Sequence, residues 1–95
     1  MLPEKKVETE IKNYLISLNA YFIKTIGGSV PAGTPDIIAC VNGRFVGIEV
    51  KRPNGGRVTE LQKHHLRRIQ NANGIAFVAS SKQEVMNHFK DEHII

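Results

Sequence analysis

The sequence predicts an α/β fold, a single mixed β-sheet flanked by helices with an αβββαβ core and one further C-terminal helix. Three observations carry this. Asn42-Gly43 stands between two apolar runs, the strongest short-range signal for a two-residue type I′ hairpin. Both faces of that hairpin carry apolar residues, Ile37, Ala39, Val46, Ile48 and Val50 on one and Ile38, Cys40 and Phe45 on the other. A sheet of that kind needs helices on both sides. Finally, the stretch from Glu49 through a helical pattern to Val78 reads as a β-α-β crossover, which sets the last strand parallel to the third.

The elements follow in order. Val7, Ile11, Tyr14, Leu15 and Leu18 fall on one stripe at 100° per residue, predicting a helix over Pro3–Leu18 with Glu4 and Glu8 along one edge of the stripe. Asn19-Ala20 ends it, and residues 21–26 read as a strand. Residues 27–35 are dense in Gly and Pro and form a loop. The hairpin strands span about 36–41 and 44–51. A second loop, 52–57, contains Gly55-Gly56. A helix over 59–73 follows, stopped by Gly74, and then a β-branched and aromatic strand over 75–79. Ser81-Lys82-Gln83-Glu84 is a capping-box sequence that opens a final helix running to about Lys90.

Ninety-five residues make one domain, 1–95, at a size where buried surface is modest and a partner subunit would add stability. No apolar run approaches the length of a membrane span. The charged start Met1-Leu2-Pro3-Glu4-Lys5-Lys6 lacks a signal-peptide apolar stretch, so a cytoplasmic, intracellular location is expected. Cys40 is the only cysteine. It rules out an intrachain disulfide, and among Ile37, Ile38 and Val41 it reads as an inert core thiol. Thirteen Lys and Arg against nine Asp and Glu give a formal charge of +4, which favours a polyanionic partner.

The hairpin turns spacing into geometry. With residues 42 and 43 as the turn, cross-strand partners have numbers summing to 85, and Asp36 with Glu49 is such a pair. Their Cβ atoms are expected about 4.5–5.5 Å apart on one sheet face, and Lys51, two residues on, points to the same face. Singly, Asp36 after Pro35 is a turn residue and Glu49 an exposed strand carboxylate pairing with Lys51 or Arg44. Jointly they are two like charges at the end of a strand expected to be buried, where unmatched polar groups are costly. A divalent cation between them, with a lysine alongside, supplies what hydrolysis of a phosphodiester needs. His64, His65, His88 and His93 form no ligand spacing, and zinc is disfavoured by the single cysteine.

Pro35-Asp36 followed by Glu49-Val50-Lys51 resembles the PD-(D/E)XK nuclease superfamily. The flanking Gly33-Thr34-Pro35-Asp36-Ile37-Ile38 and Gly47-Ile48-Glu49-Val50-Lys51-Arg52-Pro53, with Leu61-Gln62, look like its VRR-NUC family, in the stand-alone, phage-type form. The similarity runs from the first helix to the last strand. It implies a metal-dependent DNA endonuclease. Asp36 and Glu49 would hold Mg²⁺ or Mn²⁺, the Val50 carbonyl would add a third oxygen, and Lys51 would orient the nucleophile or meet charge on the phosphoryl oxygens. Oxygen ligands suit such hard ions.

Other residues keep two readings each. Gln62 closes a capping box with Thr59 or, as in similar nucleases, lies beside the active site. An acidic residue early in the first helix belongs near the metal. VRR-NUC spacing favours Glu4 and comparison with archaeal junction resolvases favours Glu8. Arg52, Arg57, Lys63 and Arg67 contact phosphates or form a solvated basic face. With no separate recognition module in view, DNA shape is the expected determinant, and a homodimer suits a two-fold four-way (Holliday) junction. The alternatives are a non-catalytic nucleic-acid-binding module with the nuclease fold, or a flap or end nuclease within a larger repair machine.

Overall fold

In a computed structural model that describes residues 3–95, seven elements follow one another. They are α1 (Pro3–Ser17), β1 (Tyr21–Lys24), β2 (Ile37–Val41), β3 (Arg44–Val50), α2 (Glu60–Asn71), β4 (Ile75–Ala79) and α3 (Lys82–Asp91). Met1 and Leu2, the start of the charged N-terminal stretch, lie outside the described residues. The four strands form one mixed sheet in the order β1-β2-β3-β4. The first three are antiparallel, and β4 runs parallel to β3 after the α2 crossover. The fold is α/β with the order αβββαβα.

The hairpin has the register its turn dictates. Ile37 faces Ile48, Ala39 faces Val46 and Cys40 faces Phe45, every pair summing to 85. Asn42 (φ 49°) and Gly43 (φ 82°) both take positive φ, as a type I′ turn requires and as Asn-Gly tolerates best. Because side chains alternate, the register sends Val46, Ile48 and Val50 to one face and leaves Glu49 with Gly47 on the other.

The first face is the core. Val7, Ile11 and Leu15 of α1 and Val85 and Phe89 of α3 pack there against Ile37, Ala39, Val41, Val46, Ile48, Val50, Phe77 and Ala79. Full burial of each large aliphatic or aromatic side chain of this set stabilises by about 1.5–3 kcal/mol. α2 alone covers the second face, lying over β3 and β4. A helix roughly 10 Å across spans about two strands at their ~4.8 Å spacing, so β1 and β2 stay open on this side. Cys40 is accordingly exposed, which corrects its reading as a buried core thiol. Tyr21 and Phe45 share the open face, 73% and 49% exposed. Cover on both faces, expected for the whole hairpin, holds only for the half beneath α2.

Gly47 lets α2 come close. A Cβ there would stand 2.8 Å from Ile69 Cδ1 and 3.2 Å from Pro35 Cγ, so the absent side chain is what seats the helix on the strand beside Glu49.

Three element ends depart from expectation for a side-chain or main-chain reason. β1 stops at Lys24, not residue 26, because the next rung, Thr25 with Asp36, is only half made: the Thr25 carbonyl accepts the Lys24 amine (3.0 Å). Thr25 does donate its amide to the Asp36 carbonyl (2.9 Å), and its hydroxyl to the Pro35 carbonyl (2.8 Å). α2 turns off at Asn73 (φ 70°), one residue before the expected Gly74. The Gly74 amide then closes on the Ile69 carbonyl at 2.9 Å. At α3, Ser81 Oγ accepts the Glu84 amide (3.1 Å), but the Glu84 carboxylate takes the Ser80 amide, not that of Ser81, so only half of the expected box forms.

Candidate active site

The C-terminal end of β3 and the N-terminal end of β2 meet at one end of the sheet, between its two inner strands, and the chemistry gathers there. Asp36, one residue before β2, turns its carboxylate across the ladder so that Oδ2 accepts the Val50 amide at 2.8 Å. Glu49, the penultimate residue of β3, is 3% exposed. Its Oε2 stands 3.5 Å from Lys51 Nζ and accepts the side-chain amide of Gln62 at 3.2 Å. Lys51 continues from β3, with its main-chain amide donated to the Ala79 carbonyl at 3.0 Å. Its stem lies beneath Gly56, where a Cβ would come within 2.7 Å of Lys51 Cβ. Asp36, Glu49, Lys51 and Gln62 thus form one cluster on the α2 side of the sheet.

Gln62 satisfies both of its readings at once. Its backbone amide donates to Thr59 Oγ1 (3.1 Å) and its Oε1 accepts the Thr59 amide (2.9 Å), completing the capping box. That closure fixes the side chain so that the remaining Nε2 reaches Glu49. Between the two acidic candidates of α1 the structure discriminates. Glu4 is exposed and makes no ion pair among the described residues. Glu8, one turn later, is 7% exposed and faces the cluster through Lys24, whose amine is 3.5 Å from Glu8 Oε1 and 3.9 Å from Asp36 Oδ1.

Lys24 was not among the residues singled out from sequence. It ends β1 opposite Ile37, and the twelve-residue connection between β1 and β2 hides that proximity, since no tight turn sets their register. Its only sequence mark is that it is the one charged residue of β1. Arg52, Arg57, Lys63 and Arg67 are all exposed. Arg52 reaches back toward the Gly55 carbonyl (3.5 Å) and Lys63 pairs with Glu60 (3.3 Å), so none of the four joins the cluster directly.

The electrostatics are those of a crowded carboxylate pair. Burial, then the adjoining Asp36 carboxylate, push the Glu49 carboxyl up to about 8, against the opposing pull of Lys51. Glu8 goes the other way. Burial raises it, but Lys24, Lys12 and Lys5 together outweigh burial and hold it below its ordinary value. Glu8 Oε2 is buried without a close hydrogen-bond partner among the described residues, while Lys12 and Lys5 stand 3.3 and 3.6 Å away and supply charge.

This gives a signed pH prediction. The unfolded chain releases the Glu49 proton near the ordinary 4.5, whereas the folded protein keeps it to about 8. Its contribution to stability is therefore complete below 4.5 and is lost as pH rises toward 8. With a chelator present, thermal unfolding of Glu49→Gln should fall less over that range than unfolding of the wild-type protein. Parallel curves for the two would place the titration elsewhere.

A proton on Glu49 is one answer to two facing carboxylates, and a divalent cation is the other. Among the described residues no three His, Cys, Asp or Glu side chains converge on one point, so an all-protein metal cage is absent from them. Two carboxylates with a nearby backbone oxygen are what Mg²⁺ or Mn²⁺ require when water and phosphate complete the shell. The all-oxygen donor set and the raised Glu49 fit that kind of ion.

No family model matches the sequence, and no curated protein matches it. Solved structures do. One described as a "VRR_NUC domain protein" superposes with a TM-score of 0.74 at 22% identity, covering 96% of this chain and 88% of the other. A second, described as a "VRR_NUC domain", gives 0.78 at 21% identity, covering 95% and 97%. With the alignment running nearly end to end in both, this chain has the fold of the VRR_NUC domain.

Proposed function

We propose that the protein is a metal-dependent DNA endonuclease. The observation that carries this is the facing of Asp36 and Glu49 beside Lys51, where burial and then the Asp36 carboxylate push the Glu49 carboxyl up to about 8. A purely structural site gains nothing from opposing two carboxylates, since like charges across a ladder destabilise it. The VRR_NUC fold agrees with this reading. Mg²⁺ or Mn²⁺, held by Asp36, Glu49 and the Val50 carbonyl, would polarise the scissile phosphate and lower the pKa of a bound water.

The chain's own residues do the rest. Lys51 meets the charge that develops on the phosphoryl oxygens. Gln62, locked by its cap, holds one oxygen of Glu49 so that the carboxylate keeps its orientation when it gives up its proton. Glu8 adds negative charge behind Lys24. Arg52, Arg57, Lys63 and Arg67, exposed around the loop and the start of α2, contact backbone phosphates along the approaching duplex, and such contacts set register more than sequence preference.

The preferred substrate is branched DNA, a four-way junction, cut inside the cell by a homodimer. The open face of β1 and β2, bearing Tyr21, Ile23 and Cys40 with Phe45 at the start of β3 beside them, supports self-association. It is better suited to a second copy than to a polyanion, and a two-fold assembly presents two cutting sites to a two-fold junction. The purified protein with Mg²⁺ or Mn²⁺ should cut four-way junctions at symmetric positions in preference to flaps and linear duplex. It should also sediment near twice 10.6 kDa. A monomer that cuts linear duplex as well as junctions would defeat the junction and dimer readings. Absence of any cleavage would leave a nucleic-acid-binding module.

A further inference from the structure

Beside the carboxylate pair, between the end of β1 and the 27–34 loop, lies a cavity of about 360 Å³. Asp36 forms part of its wall, so the cavity adjoins the candidate active site directly. Among the described residues Lys24 is its one cationic side chain, and Asp36 is the only other charged residue lining it. Much of the remaining lining is Gly27, Gly28, Ala32 and Gly33, which lets a bulky anion come close to main chain.

Lys24 is held without being spent. Its amine donates to the Thr25 carbonyl at 3.0 Å. Its distances to Glu8 and Asp36, 3.5 and 3.9 Å, are well beyond the ~2.7–2.9 Å of committed charge-assisted bonds. Glu8 does not depend on it alone, since Lys12 and Lys5 flank the same carboxylate at 3.3 and 3.6 Å. The side chain is 37% exposed, so the ammonium is accessible to an incoming ligand.

We infer that this cavity is a subsite for a nucleic-acid backbone phosphate, the one next to the phosphate under attack, with Lys24 as its cation. The inference rests on the nuclease reading. Asp36 belongs to both the carboxylate pair and the cavity wall, so a strand whose reacting phosphate sits at Asp36 and Glu49 has this cavity on one side. On the other side lies the Gly55-Gly56 loop over Lys51. Lys24, only 3.9 Å from Asp36, then turns to the incoming phosphate with or without a metal on Asp36, and Glu8 keeps its other lysines.

The test needs no cleavage. Binding of a short fluorescent DNA duplex is followed by anisotropy in a chelator, between about 50 and 200 mM salt, for wild type, Lys24→Gln and Lys24→Arg. Loss of one duplex phosphate contact lowers the slope of log affinity against log salt by about 0.9. Lys24→Gln should show that loss for any duplex sequence, and Lys24→Arg should restore it. The double variant Lys24→Gln with Glu8→Gln removes the carboxylate that the single change leaves with one lysine fewer, so it keeps the test open should the single variant fold poorly. An unchanged slope in a folded Lys24→Gln or double variant overturns the subsite, and a lowered melting temperature with that unchanged slope assigns Lys24 to neutralising Glu8 alone. Cleavage by wild-type protein with Mg²⁺ or Mn²⁺ is scored separately. If it cuts while the slopes coincide, only the subsite falls. If it does not cut, the nuclease reading falls whatever the slopes.

Discussion

Lys51→Ala is expected to slow DNA cleavage about 10²–10³-fold, the usual effect of removing one group aimed at transition-state charge. The lysine is positioned for that role. Its side chain is 13% exposed, its amine is 3.5 Å from Glu49, and Gly56 restrains its stem. The substitution should leave the fold in place, because the main-chain amide of residue 51 still bonds to Ala79 and no buried partner other than Glu49 loses its counter-charge. Divalent-ion affinity should hold or rise, since a cation beside Glu49 has gone. Single-turnover cleavage with calorimetric titration of Mn²⁺ checks both halves. Turnover near wild type would take Lys51 out of the mechanism, while a loss of metal affinity equal to the loss of rate would make it a scaffold for the site.

Much of the fold and part of the site were legible because one tight turn sets a register. Asn42-Gly43 fixes every partner in the hairpin, so the closeness of Asp36 to Glu49 and the side on which Lys51 emerges follow by counting. Gln62 was legible through its spacing from Thr59, but its contact with Glu49 depends on how closely α2 approaches. That approach is set by Gly47 against Ile69 and Pro35, a packing fact with no periodic mark. Lys24 was invisible for a related reason. It reaches Glu8 and Asp36 only through the pairing of β1 with β2, and a twelve-residue connection imposes no register. Glu4 and Glu8 share a helix edge, and only the lie of α1 on the sheet buries one and exposes the other. Cys40 misled because apolar neighbours on both faces of a strand imply cover, whereas the number of strands a single helix can cover decides which neighbours receive it.

Asp36→Asn separates the structural part of this site from its chemical part. The asparagine carbonyl can still accept the Val50 amide that Oδ2 accepts at 2.8 Å, and Thr25 still binds the main-chain carbonyl of residue 36, so this end of the sheet should stay intact. The ligand charge does not survive. Changes one shell out from a metal already cost about 10–100-fold in affinity or activity, so Mn²⁺ binding should weaken at least that much and cleavage should fall with it. The same change alters Glu49 in a direction that needs no metal to detect. Its carboxyl is raised first by burial and then by Asp36, so removing the Asp36 charge lowers it without returning it to the ordinary value. In a chelator, the loss of stability with rising pH should therefore be smaller than in wild type and should end at a lower pH, yet remain larger than in Glu49→Gln. A variant that keeps wild-type Mn²⁺ affinity would remove Asp36 from the ligand set. A pH profile identical to wild type would mean that the two carboxylates do not interact, and with that the argument for a cation between them would fail.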